Sequence, residues 1–163
     1  MQIYLLRHGI AEDAAAGMAD ADRALTPEGK KKVRDIARAA AAAKVKPGLV
    51  LTSPYKRALA TARIAAEELG YADDPLTTKA LLPQSSPQAA WDEIRLHKDV
   101  KSILLVGHEP LFSSLGSYLL GAKEVLIDFK KGAILCLETS HFGAQPRGIL
   151  KWLLTAKLVE ASG

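Results

Sequence analysis

Arg7, His8, Arg57 and His108 stand in three stretches of one design, in which an apolar run ends, a basic or imidazole residue follows, and a turn or helix begins. The stretches read LLRHG, LTSPYKR and LLVGHEP. Guanidinium forks match phosphate oxygens in pairs and keep their charge at every working pH. A neutral imidazole can attack phosphorus in line, while a second imidazole and the arginines stabilise the equatorial oxygens of a loose transition state. Two arginines and two histidines in one pocket therefore point to a phosphoryl ligand and a phosphohistidine intermediate. Arginine then supplies the positive charge, so no metal and no cofactor is required. Each piece alone says little: RHG is a short motif, and Arg57 by itself reads as a helix-surface arginine. Their shared place at strand ends joins them.

The elements that must carry these residues are legible from hydrophobic patterning. Strand-length apolar runs occur at IYLLR from residue 3, GLVLTS from 48, SILLVG from 102, AILCLE from 133 and ILKWLLT from 149. Helical patterns separate the first three, which predicts an α/β three-layer sandwich with a mostly parallel central sheet. Thr26 as N-cap and Pro27 at the first helical position open a helix that carries Val33, Ile36, Ala37 and Ala40 on one face and stops before Pro47 and Gly48. A second helix follows Ser53 and Pro54 and ends at Gly70, a third spans Gln88 to His97, and a fourth runs from Pro110 to Gly121. Pro54 and Pro110 each suit the first helical position, so two helix N-termini are expected to aim free N–H groups into the crevice beyond the parallel strands, where an anion is favoured.

Composition narrows the partners. The chain has 163 residues, 48% of them hydrophobic, which is enough for one domain over residues 1–163 with a sizeable core. No apolar run reaches the length of a membrane span, and MQIYLL lacks the marks of a secretory leader, so a cytoplasmic protein is expected. The net charge of +4 favours anionic partners. Only Lys30, Lys31 and Lys32 cluster, and aromatic residues make up 6% without a stacking series, so nucleic acid is not expected and the lysines read as a solvated helix face. Cys136 is alone in an apolar run and reads as a small buried hydrophobe. His97 and His141 have no ligand spacing to another His, Cys or carboxylate, and Trp91 and Trp152 read as packing residues.

The segments LLRHG, LTPEG, TSPYKRALATA and VGHEP, taken in that order, resemble the sequential motifs of the histidine phosphatase superfamily, and within it the small SixA-type phosphohistidine phosphatase branch. The resemblance covers about residues 2 to 120. It implies a phosphoglycerate mutase-like fold without a large cap, His8 as nucleophile, Arg7 and Arg57 gripping the phosphoryl oxygens, and His108 completing the pocket. The backbone N–H of Glu109 would add a donor, and Arg23 in DRALT would line the rim. It also implies that one His8 ring nitrogen donates to the Gly9 carbonyl and frees the other.

One departure from the wider superfamily bears on the substrate. Many relatives carry a proton-donating acid after a leucine pair between the second and third motifs, whereas this chain reads KALLPQSSP, with no acid beside Leu81 and Leu82. Glu12 is the candidate substitute. Expelling an alkoxide from a phosphate monoester needs a proton more than expelling an imidazole from phosphohistidine does, so the missing acid favours P–N cleavage. The short stretch between Gly70 and Ser102 leaves no room for a large cap, and a histidine on another protein could enter. A broad phosphomonoesterase acting on small metabolites and a noncatalytic phospho-ligand binding module remain the alternatives.

Overall fold

The computed structural model describes residues 1–122 and 125–162. Its centre is a six-stranded sheet formed by β1 (Gln2–Arg7), β2 (Leu49–Thr52), β3 (Leu76–Thr77), β4 (Ser102–Gly107), β5 (Ile134–Glu138) and β6 (Ile149–Leu154). The spatial order is β3-β2-β4-β1-β5-β6. The first four strands in that order run parallel, and β5 and β6 add antiparallel pairs.

The parallel strands β1, β2 and β4 are apolar on both faces because both faces are covered. Ile3, Leu5, Leu51, Ile103 and Leu105 pack with Trp91, Ile94, Phe112 and Leu115 of α3 (Pro87–Leu96) and α4 (Leu111–Leu119). Tyr4, Leu6, Val50, Leu104 and Val106 pack with Ile36, Ala37, Ala58 and Ala62 of α1 (Pro27–Ala42) and α2 (Lys56–Glu68). The alternation along β1 alone, odd residues to one layer and even to the other, builds the three-layer α/β/α sandwich. Alanine-rich faces on α1 and α2 let these two helices lie against the sheet and each other. Trp91 stacks on Phe142, Trp152 tilts against Tyr4, and Cys136 is buried, all as packing residues.

The Thr26 hydroxyl accepts the Gly29 N–H at 2.9 Å with Pro27 at the first helical position, as the sequence predicts. Two helix starts differ from expectation. Helix α2 begins at Lys56, because Pro54 sits in a bend where the Ser53 hydroxyl accepts the Tyr55 N–H, and Pro110 occupies the cap position of α4 rather than its first helical turn. The two-residue β3 and the seven-residue α5 (Ala156–Ser162) lie outside the expected elements, since neither is long enough to show a buried period. No helix among the described residues is long and apolar enough to cross a membrane.

Helix α1 approaches the loop after β1 so closely that a Cβ on Gly29 would run into the Ile10 carbonyl oxygen and come within 2.9 Å of its nitrogen. A Cβ on Gly9 would meet Val33 Cγ2 at 2.7 Å. Gly29→Ala should therefore cost about 1–3 kcal/mol, the usual range for forced overpacking. Urea unfolding should show it as a lowered midpoint at unchanged slope, and an unshifted midpoint would show that the loop gives way freely.

Candidate functional site

Register explains how residues distant in sequence become neighbours. Arg7 pairs with Gly107 across β1 and β4, and Thr52 pairs with Val106 across β2 and β4. One step further, the His8 N–H donates to the Gly107 carbonyl and the Ser53 N–H to the Val106 carbonyl, each at 2.9 Å. His8, Ser53 and His108 thus leave the sheet side by side. The imidazoles of His8 and His108 lie 5.0 Å apart, centroid to centroid, and Arg57 from the first turn of α2 reaches His8.

The contacts of His8 select its tautomer. Its Nδ1 lies 2.7 Å from the Gly9 carbonyl oxygen, which can only accept, so Nδ1 carries the proton. Its Nε2 faces Arg57 Nε at 3.3 Å, which can only donate, so Nε2 presents its lone pair. Burial lowers the pKa of His8 to about 4; the Gly9 hydrogen bond pulls it the other way, and the charges of Arg57, Arg7 and Lys131 add further downward pushes. Burial, then His8 and Arg57, lowers His108 to about 3. Both rings are neutral at pH 7. His108 Nε2 is 2.8 Å from the Ser53 hydroxyl, while its buried Nδ1 has no partner. Tyr55 sets its ring edge-on to His108 and lies beneath the Arg57 guanidinium.

Arg57 is only 4% exposed and every one of its nitrogens is engaged. Nη1 donates to the Asp20 carbonyl at 2.6 Å, and Nη2 to Asp20 Oδ2 at 3.0 Å. The far end of the fork is thereby held by Asp20, and the Nε side faces His8. Asp20 Oδ1 takes Arg23 Nη1 at 3.0 Å, and Arg23 Nε donates to the Glu12 carbonyl at 2.7 Å. Arg23 therefore joins the site through Asp20. The Arg23 hydrogen bond, and then Arg57, hold the Asp20 carboxyl below the usual range, so it serves as a fixed negative charge and not as a proton source. Arg7 Nη1 donates to the Phe129 carbonyl at 2.6 Å, and its buried Nε has no partner. Burial lowers the Arg7 pKa, with Glu109 and Asp128 opposing.

Arg7, His8, Arg57 and His108 are thus brought together, with Arg23 linked at the edge. Glu12 reaches the network through its backbone carbonyl, and its carboxylate makes no contact with the four. Glu109 follows His108, and its carboxylate accepts the Ser113 N–H in the first turn of α4 at 2.7 Å. Among the described residues no group of three His, Cys, Asp or Glu side chains could hold a metal ion. Sequence patterning overlooked Asp20, Ser53, Tyr55 and Thr61. Thr61 Oγ1 accepts the Gly9 N–H at 3.2 Å and donates to the Arg57 carbonyl at 2.8 Å, so it fastens α2 to the His8 loop. The signal for Asp20 was the length of the segment between β1 and α1, since a long connection of this kind in a compact fold is usually functional. That segment returns on itself through the Ala11–Leu25 bridge and the Glu12 N–H to Ala24 carbonyl bond, which folds Asp20 over Arg57.

The profile of the histidine phosphatase superfamily (branch 1) matches residues 3–82. An uncharacterized protein from Picosynechococcus is 34% identical over 145 residues, covering 82% of this chain and 87% of the relative. The chain belongs to the histidine phosphatase superfamily. A solved protein histidine phosphatase SixA complexed with tungstate superposes with a TM-score of 0.88 at 26% identity, over 98% of this chain and 99% of the other. This likeness over nearly the whole chain puts it in the SixA-type branch. A 2,3-bisphosphoglycerate-dependent phosphoglycerate mutase from Thermobifida fusca is 43% identical over 72 residues, which are 42% of this chain and 28% of the mutase. A phosphatase-type hydrolase is the activity that goes with this family.

The neutral histidines bear on stability. Their folded pKa values lie below the ordinary 6.5, so from about pH 6.5 down to about 4 for His8 and about 3 for His108 the unfolded imidazoles bind protons that the folded ones refuse. Their contribution is complete above 6.5 and is lost as pH falls through that window. Urea unfolding at a series of pH values should show a slope that is shallower in His108→Asn, and equal slopes would contradict the buried neutral assignment. Asp20→Ala frees the end of the Arg57 fork and should lower kcat/KM for p-nitrophenyl phosphate by about tenfold, the scale of one charge-assisted hydrogen bond. Asp20→Asn should fall between, and an unchanged rate in both would leave Asp20 without a part in the site.

Proposed function

We propose that the protein removes the phosphoryl group from a phosphohistidine carried on another protein, through a covalent phospho-His8 intermediate. The observation that carries this reading is the His8 ring, neutral, with Nδ1 tied to the Gly9 carbonyl and Nε2 turned toward Arg57. In the first step the Nε2 lone pair attacks phosphorus as the substrate P–N bond breaks. The bonding pair leaves with the substrate imidazole, which takes its proton from water. Arg7, Arg57 and the neutral His108 face the phosphoryl oxygens, where charge is spread in a loose transition state. In the second step a water oxygen attacks phosphorus as the Nε2–P bond breaks, the bonding pair returns to Nε2, and the water's protons leave with the phosphate or pass to solvent.

The carboxylates around the pocket support P–N over P–O cleavage. Asp20 is paired with Arg57 and Arg23, Glu109 accepts the Ser113 N–H in the first turn of α4, Asp128 pairs with Lys130 at 2.9 Å, and Glu12 is exposed. Asp20, Glu109 and Asp128 are thus each engaged by a cation or a backbone N–H, and Glu12 makes no hydrogen bond to the four pocket residues. A substrate that expels an imidazole suits such a site better than one that expels an alkoxide. The solved relative with the near-complete superposition is a protein histidine phosphatase bound to tungstate, a tetrahedral oxyanion.

A substrate comparison in excess EDTA tests the reading. Turnover of a phosphohistidine protein should exceed that of p-nitrophenyl phosphate, and both should far exceed glycerol phosphate. Equal rates on glycerol phosphate and phosphohistidine would require a general acid and overturn the P–N assignment. Activity lost to EDTA and restored only by added metal would overturn the arginine-based mechanism. His108→Ala should retain turnover lowered by about 100- to 1,000-fold, the usual cost of one transition-state donor, whereas His8→Ala should retain none.

A further inference from the structure

A groove of about 680 Å³ opens beside Arg7 and leads away from His8 toward the junction of β6 and α5. Its walls carry Arg7, Lys32, Lys130, Lys131 and Lys157, with Asp128 the one acidic residue among those lining it. These side chains come from four separate segments: the end of β1, helix α1, the chain before β5, and the start of α5. The convergence of cations from four segments goes beyond the lysine run of α1, which the sequence presents as a solvated face.

The local ion pairs cancel only part of this charge. Lys130 pairs with Asp128 at 2.9 Å, and Lys32 with Glu28 at 3.0 Å and Glu160 at 3.6 Å. Among the described residues no carboxylate lies within ion-pair distance of Lys131 or Lys157, both of them exposed. The groove borders the reaction site, because Arg7, next to His8 in the chain, forms part of its wall.

We propose that this groove docks an acidic segment of the substrate protein, so that the preferred phosphohistidine has aspartate or glutamate residues nearby in its chain. The proposal rests on the phosphohistidine reading and names the substrate class within it. A phosphoryl group on His8 uses only the arginine end of the groove. The lysines farther along have no role for a bare phosphohistidine, and they match carboxylates spaced along an extended segment. Like charges lining one cleft raise the local concentration of the opposite charge and speed its capture, an effect that salt screens.

The test uses the intact protein and a Lys130→Glu/Lys157→Glu variant, which reverses charge at two exposed groove positions away from the four pocket residues. Two phosphohistidine peptides are compared, identical except that acidic residues near the histidine are replaced by glutamine. The parent should favour the acidic peptide by about tenfold in kcat/KM at low salt, and the preference should shrink as salt rises. In the variant the preference should vanish, while p-nitrophenyl phosphate turnover stays unchanged. A separate arm uses the acidic peptide with no phosphoryl group as an inhibitor of p-nitrophenyl phosphate hydrolysis. Inhibition in the parent that is lost in the variant supports the groove even if neither phosphopeptide turns over, so the two readings fail separately. The proposal is overturned if the parent treats both peptides alike, if the variant loses p-nitrophenyl phosphate activity in proportion, or if charge reversal weakens inhibition by tripolyphosphate or an oligonucleotide and not by the acidic peptide.

Discussion

Protonating an imidazole buried beside two guanidinium groups would add a third positive charge to the cluster, and the rest of the site follows from keeping His8 neutral. Burial and the neighbouring cations push its pKa down to about 4. The Gly9 carbonyl takes the one proton the ring retains, and Arg57 donates toward the other nitrogen. Under the proposed mechanism, the same guanidiniums that disfavour the imidazolium would favour an incoming phosphoryl dianion, so one electrostatic arrangement would both keep the ring neutral and attract its target. Asp20 offsets part of this positive field from outside, at the end of Arg57 remote from His8, and leaves the ring neutral.

Holding such a cluster demands a rigid frame. Parallel pairing of β1, β4 and β2 sets His8, His108 and Ser53 in adjacent positions, and the backbone bonds just beyond the strands extend that register into the pocket. Helix α2 is fastened to the His8 loop by Thr61, and α1 comes close enough to the same loop that Gly9 and Gly29 have no room for side chains. Positioning of this kind is what a phosphoryl-transfer site contributes most, since little covalent chemistry is left for the protein to perform.

Much of this was legible in the sequence, and the remainder was hidden for physical reasons. Arg7, His8 and His108 each mark the end of an apolar run, and runs buried on both faces stand out from their surroundings. Thr26 and Pro27 announce α1 by side-chain chemistry that acts within one turn. Asp20 gave no such sign, because its role depends on a loop folding back over a helix 37 residues away. Pro54 looked like a helix start, yet the Ser53 hydroxyl turns the chain first and places Tyr55 against His108. The groove cations come from four segments and form a patch only once the strands are ordered. Local rules act within a few residues, and contacts between segments need the topology.

The central claim is that His8 accepts the phosphoryl group on Nε2. The most direct measurement is to mix enzyme with phosphorylated substrate, quench in alkali to preserve the acid-labile P–N bond, and locate the phosphoryl group by peptide mapping, with phosphorus NMR to distinguish the two ring isomers. The expected result is phosphohistidine at residue 8, in the Nε2-linked isomer. Phosphate on His108, or on Nδ1 of His8, would contradict it.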